Sequence, residues 1–280
     1  MDTAVPHLHP MGVIDQLDTA FRLYRRHFVT FVGIAALLRV PLLALAAALG
    51  LVGVKDAGFL GASYELQGPL SLLELLGDMI IQGVLAVAVA RAYLGRPTGG
   101  IPGVFRYCLH GRRFITLILS SLATTAIVLA LFVPTYIGLV TVGWAGWLCM
   151  IPAVVAVVPI SLRLTLVPQV VLLEDQGTIA GIRRTWDLMK GHLQRVLGLN
   201  LLLGLVTQLI PQGLTGLAVW ASETLSISPS LSRWLTSGFS MLITLLLMPV
   251  PLAAYTLFYY DLRIRKEGYD LQVRAESLAP

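Results

Sequence analysis

The sequence predicts an all-α, polytopic integral membrane bundle of six transmembrane helices in three degenerate units. Three observations lead there. Hydrophobic residues make up 56% of the 280 and charged residues only 12%, against roughly 25% charged in a soluble domain, and the mean hydropathy is +0.81. Six apolar runs are each long enough to cross about 30 Å of hydrocarbon at about 1.5 Å per residue. Finally, one pattern is written three times. AFRLYRRHF, from Ala20, leads into an apolar stretch reaching Val52. GVFRYCLHGRRF, from Gly103, leads into ITLILSSLATTAIVLALFV, and GIRRTWDLMKGHL, from Gly181, leads into QRVLGLNLLLGLVTQLI. His27, His110 and His192 hold similar places, 83 and 82 residues apart. Recurrence at a fixed period marks a repeated structural unit, here an interfacial amphipathic helix followed by a transmembrane hairpin, within a single membrane domain over 1–280.

The first interfacial helix spans about 11–27. Val13, Ile14, Leu17, Phe21, Tyr24 and Phe28 recur at helical spacing, while Asp15, Asp18, Arg22, Arg25 and Arg26 fall elsewhere on the wheel. The acids come early and the arginines late, as the helix dipole prefers. Span one (28–51) contains Pro41, which should bend it. A polar, glycine-bearing loop from Gly53 to Pro69 precedes span two (70–90). The second interfacial helix covers about 103–113. Span three (114–133) is expected to end in a tight turn at Pro134 to Gly138, and span four (139–162) to be broken by Pro152 and Pro159. RLTLVPQVVLLEDQG then leaves the membrane, with Pro168 opposing a continuous helix. The third interfacial helix covers about 178–192. Span five (193–220) carries Pro211, a polar loop follows from Ser222 to Ser232, and span six (234–260) holds Pro249 and Pro251 and ends in aromatic and basic residues suited to the interface.

Charge sets the orientation. Seventeen of the twenty Lys and Arg residues fall on the N-terminal side of span one, in the connections from span two to three and four to five, or in the tail; Lys55 and Arg233 lie on the other side and Arg39 within span one. Both termini are therefore expected in the cytoplasm, in a bacterial cytoplasmic (inner) membrane. The pI of 9.4 is the sum of this asymmetry, so no nucleic-acid partner is expected. MDTAVPHLHP lacks a basic n-region, and the first apolar stretch is too long for a signal peptide, so it is read as an uncleaved anchor. Cys108 and Cys149 are read as free thiols.

YYDLRIRKEGYDLQ (Tyr259 to Gln272), AFRLYRRHF and the run from Glu174 through Trp186 to Lys190-Gly191-His192 together resemble bacterial multi-pass membrane proteins related to the membrane domain of glycerophosphodiester phosphodiesterases, over roughly residues 11 to 272. The resemblance implies a membrane fold. Enzymes of that family carry their chemistry on a separate soluble barrel and a His-Arg-Gly signature. No extramembrane stretch here is long enough for such a barrel, and His110-Gly111-Arg112 has the wrong order.

No catalytic constellation emerges: HExxH, GxSxG and glycine-rich phosphate loops are missing. His7 and His9 form an HxH on an unanchored terminus, a weak metal site at best, and no metal or other cofactor is expected. Two polar groups remain. Arg39, near the middle of span one, needs a partner, since an unpaired charge at that depth costs at least about 2.5–3.5 kcal/mol. Span two offers Glu74, Asp78 and Gln82, four apart on one helical stripe. Counted from the inner ends of the two spans, Arg39 and Asp78 lie about 17 and 18 Å deep, which selects Asp78. The second group is Arg25, Arg26, Arg112, Arg113, Arg183 and Arg184 on the interfacial helices. They suit anionic lipid headgroups, at about 1 kcal/mol each, although topology alone also places basic residues there.

The expected function is accordingly non-catalytic: a scaffold, a lipid-organising factor or an accessory subunit of a larger membrane complex, partnered by membrane lipids, anionic ones included, and by protein subunits or further copies of itself. The alternative is a transporter or lipid flippase using Arg39, Glu74 and Asp78, in the way that proline-broken spans and intramembrane charges form substrate paths. A reporter fused after Pro280 should be active only in its cytoplasmic form, and one inserted between Ser222 and Ser232 only in its exported form. An exported C-terminus would break the six-span topology.

Overall fold

A computed structural model of the chain describes residues 10–49, 52–56, 62–66, 69–96, 100–142, 147–226 and 228–278. It is helical apart from one short hairpin. The first helix, α1 (Val13–Arg26), places an acid in its first turn and Arg25 and Arg26 in its last, as the macrodipole favours. The chain turns at His27 into α2 (Phe28–Ala48), which stays helical through Pro41. Strands β1 (Val52–Asp56) and β2 (Ala62–Leu66) pair antiparallel with Val54 opposite Tyr64. The sequence reading of a loop here missed the alternating β-branched and aromatic residues that favour strands. Helix α3 (Pro69–Tyr93) returns.

Helix α4 (Gly100–Cys108) is shorter than the second interfacial helix as read from sequence, so Arg112 and Arg113 open α5 (Arg112–Val142) rather than closing α4. The turn expected at Pro134 to Gly138 is not there. Helix α5 continues through it for 31 residues, and the connection to α6 (Trp147–Leu164) falls in 143–146, outside the described residues. Helix α6 passes through Pro152 and Pro159 and breaks only at Thr165 and Leu166, one step before Pro168 in α7 (Val167–Leu173). Helix α7 is buried from Val167 to Leu172 and packs against α3 and α5. Its unbroken apolar run is what a fully enclosed helix requires.

Helices α8 (Thr178–Met189) and α9 (Leu193–Gly204) follow. The wide π turn Leu205–Leu209 then leads into α10 (Ile210–Thr224). Pro211 explains the widening, since it has no N–H to give the carbonyl four residues back and its ring crowds that carbonyl. The predicted Ser222–Ser232 loop shrinks to a short reversal, braced by the Ser222 and Ser232 hydroxyls 2.6 Å apart. Helix α11 (Pro229–Leu247) is separated from α12 (Pro249–Glu267) by a break at Met248, ahead of Pro249 and Pro251. Gly268, in the left-handed region at φ +61°, caps α12 before α13 (Tyr269–Leu278).

Helices α3, α7 and α12 pack on one another at the centre, with α1 and α2 on one side and α5, α6 and α8 on another. Gly83 marks the closest approach: a Cβ there would lie 2.5 Å from Leu117 of α5 and 2.7 Å from Leu172 of α7. Among the described residues, five helical stretches are long and apolar enough to cross a membrane: Phe28–Leu45, Arg112–Leu131, Val155–Leu173, Leu193–Thr224 and Trp234–Glu267. Outer faces bearing Leu119, Leu129, Leu201, Leu209, Leu217 and Trp220 are exposed, an apolar area far beyond what a water-soluble surface carries.

Candidate functional site

Arg39 of α2 and Asp78 of α3 meet inside the bundle, Nη1 donating to Oδ1 at 2.7 Å, with the two side chains 12% and 30% exposed. This is the pairing that depth along the two helices selects. The Glu74 side chain lies outside the described residues. Asp78 also lines a polar cavity of about 340 Å³ with Gln82, Ser121, Thr124, Thr165 and Tyr255, drawn from α3, α5, the α6–α7 break and α12. The break matters here, because it stops α6 at Thr165 and turns Gln169, almost fully buried, toward the same space. Tyr255 donates to Asn200 Oδ1 at 2.8 Å, so α9 joins the polar lining at second hand. Hydroxyls and amides give the cavity donors and acceptors, and the carboxylate gives it a proton-accepting edge.

A second polar assembly lies at the end of the bundle that carries most of the arginines, and sequence reasoning did not find it. Asp261 of α12 is fully buried. Its oxygens accept the Met11 N–H at 2.8 Å, Arg195 Nη1 at 2.9 Å and Arg265 Nε at 3.0 and 3.1 Å. The same two arginines donate to the Met11 carbonyl at 2.6 and 3.1 Å. Beside it, Glu174 accepts Arg184 at 3.0 and 3.3 Å and the Tyr259 hydroxyl at 2.9 Å. Glu267 is shared by Arg184 and by Arg263 at 3.1 Å. Lys266 caps α8 by donating to the carbonyls of Asp187 and Lys190 at 2.8 and 2.9 Å, and Tyr24 of α1 donates to the Leu246 carbonyl at 2.6 Å. Residues 174–190 and 259–267 therefore meet in one lattice, with Met11 and Arg195 joining at Asp261.

Two of the six arginines assigned to headgroups also meet acids of the protein. Arg184 is held by two carboxylates. Arg113 forms a fork with Asp175, both bonds 3.2 Å, and stacks 4.1 Å over the Tyr107 ring. Asp175 thereby compensates a cation at a helix N-terminus, where the macrodipole opposes it. Arg25, Arg26, Arg112 and Arg183 are exposed, and among the described residues none forms a salt bridge. Two histidines are shifted toward the neutral form. Burial first, then Arg26, holds His27 below the usual imidazole range, and burial followed by Lys266, Arg195 and Arg265, against Asp261, does the same for His192. Cys108 is a free thiol that burial pushes up to about 12, against the pull of Arg91 and Arg113. It is therefore an inert thiol at neutral pH rather than a surface one; the Cys149 side chain lies outside the described residues.

Apolar helices of spanning length enclosing an ion-paired, polar interior define a helical membrane protein. Within that class, the chain belongs to the domain-of-unknown-function family DUF7847, whose model matches residues 11–262. No curated protein and no solved structure matches it.

Removing one partner of a buried pair strands the other, at about 3–5 kcal/mol; the partial exposure of Asp78 places this pair toward the lower end. Arg39→Ala should therefore lower thermal stability in detergent more than Arg39→Ala combined with Asp78→Ala. Equal or greater loss in the double variant would show that the pair is not coupled as its geometry requires.

Proposed function

We propose that this chain is a non-catalytic protein of the bacterial cytoplasmic membrane that organises lipid, as a scaffold or accessory subunit, with both termini in the cytoplasm. On this reading α3, at 25 residues, is the sixth span beside the five apolar stretches. The bundle is then three units: α1 with α2 and α3; α4 with α5 and α6; α8 with α9 to α12. The sharp turns after the short helices, at His27, at Gly111 with φ +54° and at Gly191 with φ +81°, support that division.

One observation carries the lipid reading: the arginines at the basic end fall into two sets. Arg184, Arg195, Arg263 and Arg265 are bound to internal carboxylates, whereas Arg25, Arg26, Arg112 and Arg183 face outward beside the apolar belt. Open guanidinium groups at that level suit anionic headgroups, each adding about 1 kcal/mol. Replacing those four with glutamine should cut the anionic lipid that co-purifies severalfold. Unchanged lipid in a correctly inserted variant would reduce their role to topology and overturn the proposal.

A transporter or flippase is the second reading, favoured by the cavity at Asp78. It shares Thr124, Thr125, Leu164 and Thr165 with an adjoining recess of about 300 Å³ between α5 and α6, so a polar interior lies next to a seam facing lipid. Neither partner subunits nor self-association is needed for this reading. Transbilayer movement of a labelled phospholipid in reconstituted vesicles, lost in Asp78→Asn, would support it; movement equal to that in empty vesicles would overturn it.

A further inference from the structure

The basic end contains a cavity of about 450 Å³ beside the lattice above, which shares Arg263 with it. Arg91, Arg96 and Arg263 line it together with Tyr107, Tyr260 and Tyr269, and among its described lining residues there is no carboxylate. We infer that this cavity is a binding site for a phosphate group, the headgroup of an anionic phospholipid or a free phosphate compound.

The three arginines arrive there for separate structural reasons. Helix α3 ends in a Schellman turn: Gly95, at φ +67°, lets the Arg96 N–H reach back to the Arg91 carbonyl at 2.9 Å and the Gly95 N–H to Ala92 at 3.3 Å. That turn folds Arg96 beside Arg91, although five positions separate them in the chain. Arg91 is stacked 4.8 Å from the centre of the Tyr107 ring, and Arg263 4.1 Å from the centre of the Tyr269 ring. Stacking fixes the plane of a guanidinium and so the directions in which its N–H groups point. Arg263 also meets Glu267 at 3.1 Å and Glu174 at 3.9 Å.

Guanidinium forks match the oxygens of a phosphate bidentately, and tyrosine hydroxyls can add donors. The remaining wall, including Leu94 and Leu173, is apolar and suits the glycerol and first acyl carbons of a lipid. Tyr260 and Tyr269 of the lining lie 5.7 Å apart, and Tyr260 lies 5.5 Å from Tyr93, centroid to centroid. The lipid form of the site rests on the cytoplasmic lipid-facing reading proposed above; the free-phosphate form does not.

The test uses the full chain in mild detergent, with dioleoyl phosphatidic acid, dioleoyl phosphatidylcholine and inorganic phosphate as probes, read by native mass spectrometry and thermal shift. The wild type should take up one phosphatidic acid in preference to phosphatidylcholine. Arg91→Gln with Arg96→Gln should weaken that uptake by about tenfold or more. Gly95→Val keeps every charge but opposes the left-handed turn, and it should weaken uptake as well. Arg25→Gln with Arg26→Gln, on the open surface, should leave one-to-one uptake intact while reducing total anionic lipid. Stabilisation by inorganic phosphate that disappears in the Arg91/Arg96 variant identifies the free-phosphate form, and stabilisation by phosphatidic acid alone identifies the headgroup form. If the Arg91/Arg96 variant binds as the wild type does, or the wild type responds to neither probe, the site is overturned. If the total anionic lipid follows Arg25 and Arg26 regardless, the surface reading survives that failure.

Discussion

The constraint that organises this molecule is the need to satisfy polar groups where water is scarce, and Asp261 shows it most clearly. An isolated carboxylate at zero exposure would be prohibitive. This one is surrounded by two guanidinium groups and a backbone N–H, so each of its oxygens is used. The partners come from residues 11, 195 and 265, and their pairing decides where α1, α9 and α12 sit at that end. Removing the carboxylate would strand two cations and the Met11 amide together, whereas an apolar replacement of the whole group would cost far less. Its value is therefore in specifying one arrangement of the helix ends as much as in raw stability.

Much of the fold was legible because a lipid environment leaves few choices for an apolar run of some twenty residues. The pairing of Arg39 with Asp78 was legible for the same reason: the sequence reading places both within apolar spans, and counting residues from the expected inner ends gives matching depths. Sequence reasoning failed where the chain departs from a simple alternation of span and loop. Helix α5 continues through Pro134, since a helix can absorb one missing N–H within a membrane bundle. The segment around Pro168 reads as opposed to a continuous helix, and a separate helix, α7, does begin there, but its near-complete burial was not foreseen.

The ion lattice was illegible for a different reason. Its carboxylates lie 66 residues or more from several of their partners, and no local period links them. Arginines at that end were read as topology and as headgroup partners, which hid their use inside the protein. A signal was available: the acids Glu174, Asp261 and Glu267 stand among basic residues on the side where acids are not required. Asp261 with Arg265 and Arg263 with Glu267 are each four apart, placing them on common helical faces. Acids retained within basic clusters point to internal pairing rather than to solvent.

Positive charge therefore serves two physical ends in this chain. Arginines that meet internal acids lose their charge to the outside and hold helix ends in register, as Arg184 does between Glu174 and Glu267. Arginines without such acids keep a field that reaches beyond the protein. Arg263 sits at the boundary, paired with Glu267 on one side and lining the Arg91 and Arg96 cavity on the other. A phosphate entering that cavity would compete with Glu267 for its fork. Because Glu267 is shared with Arg184, which also holds Glu174, such a phosphate would be linked by direct contacts to the packing of α8 against α12.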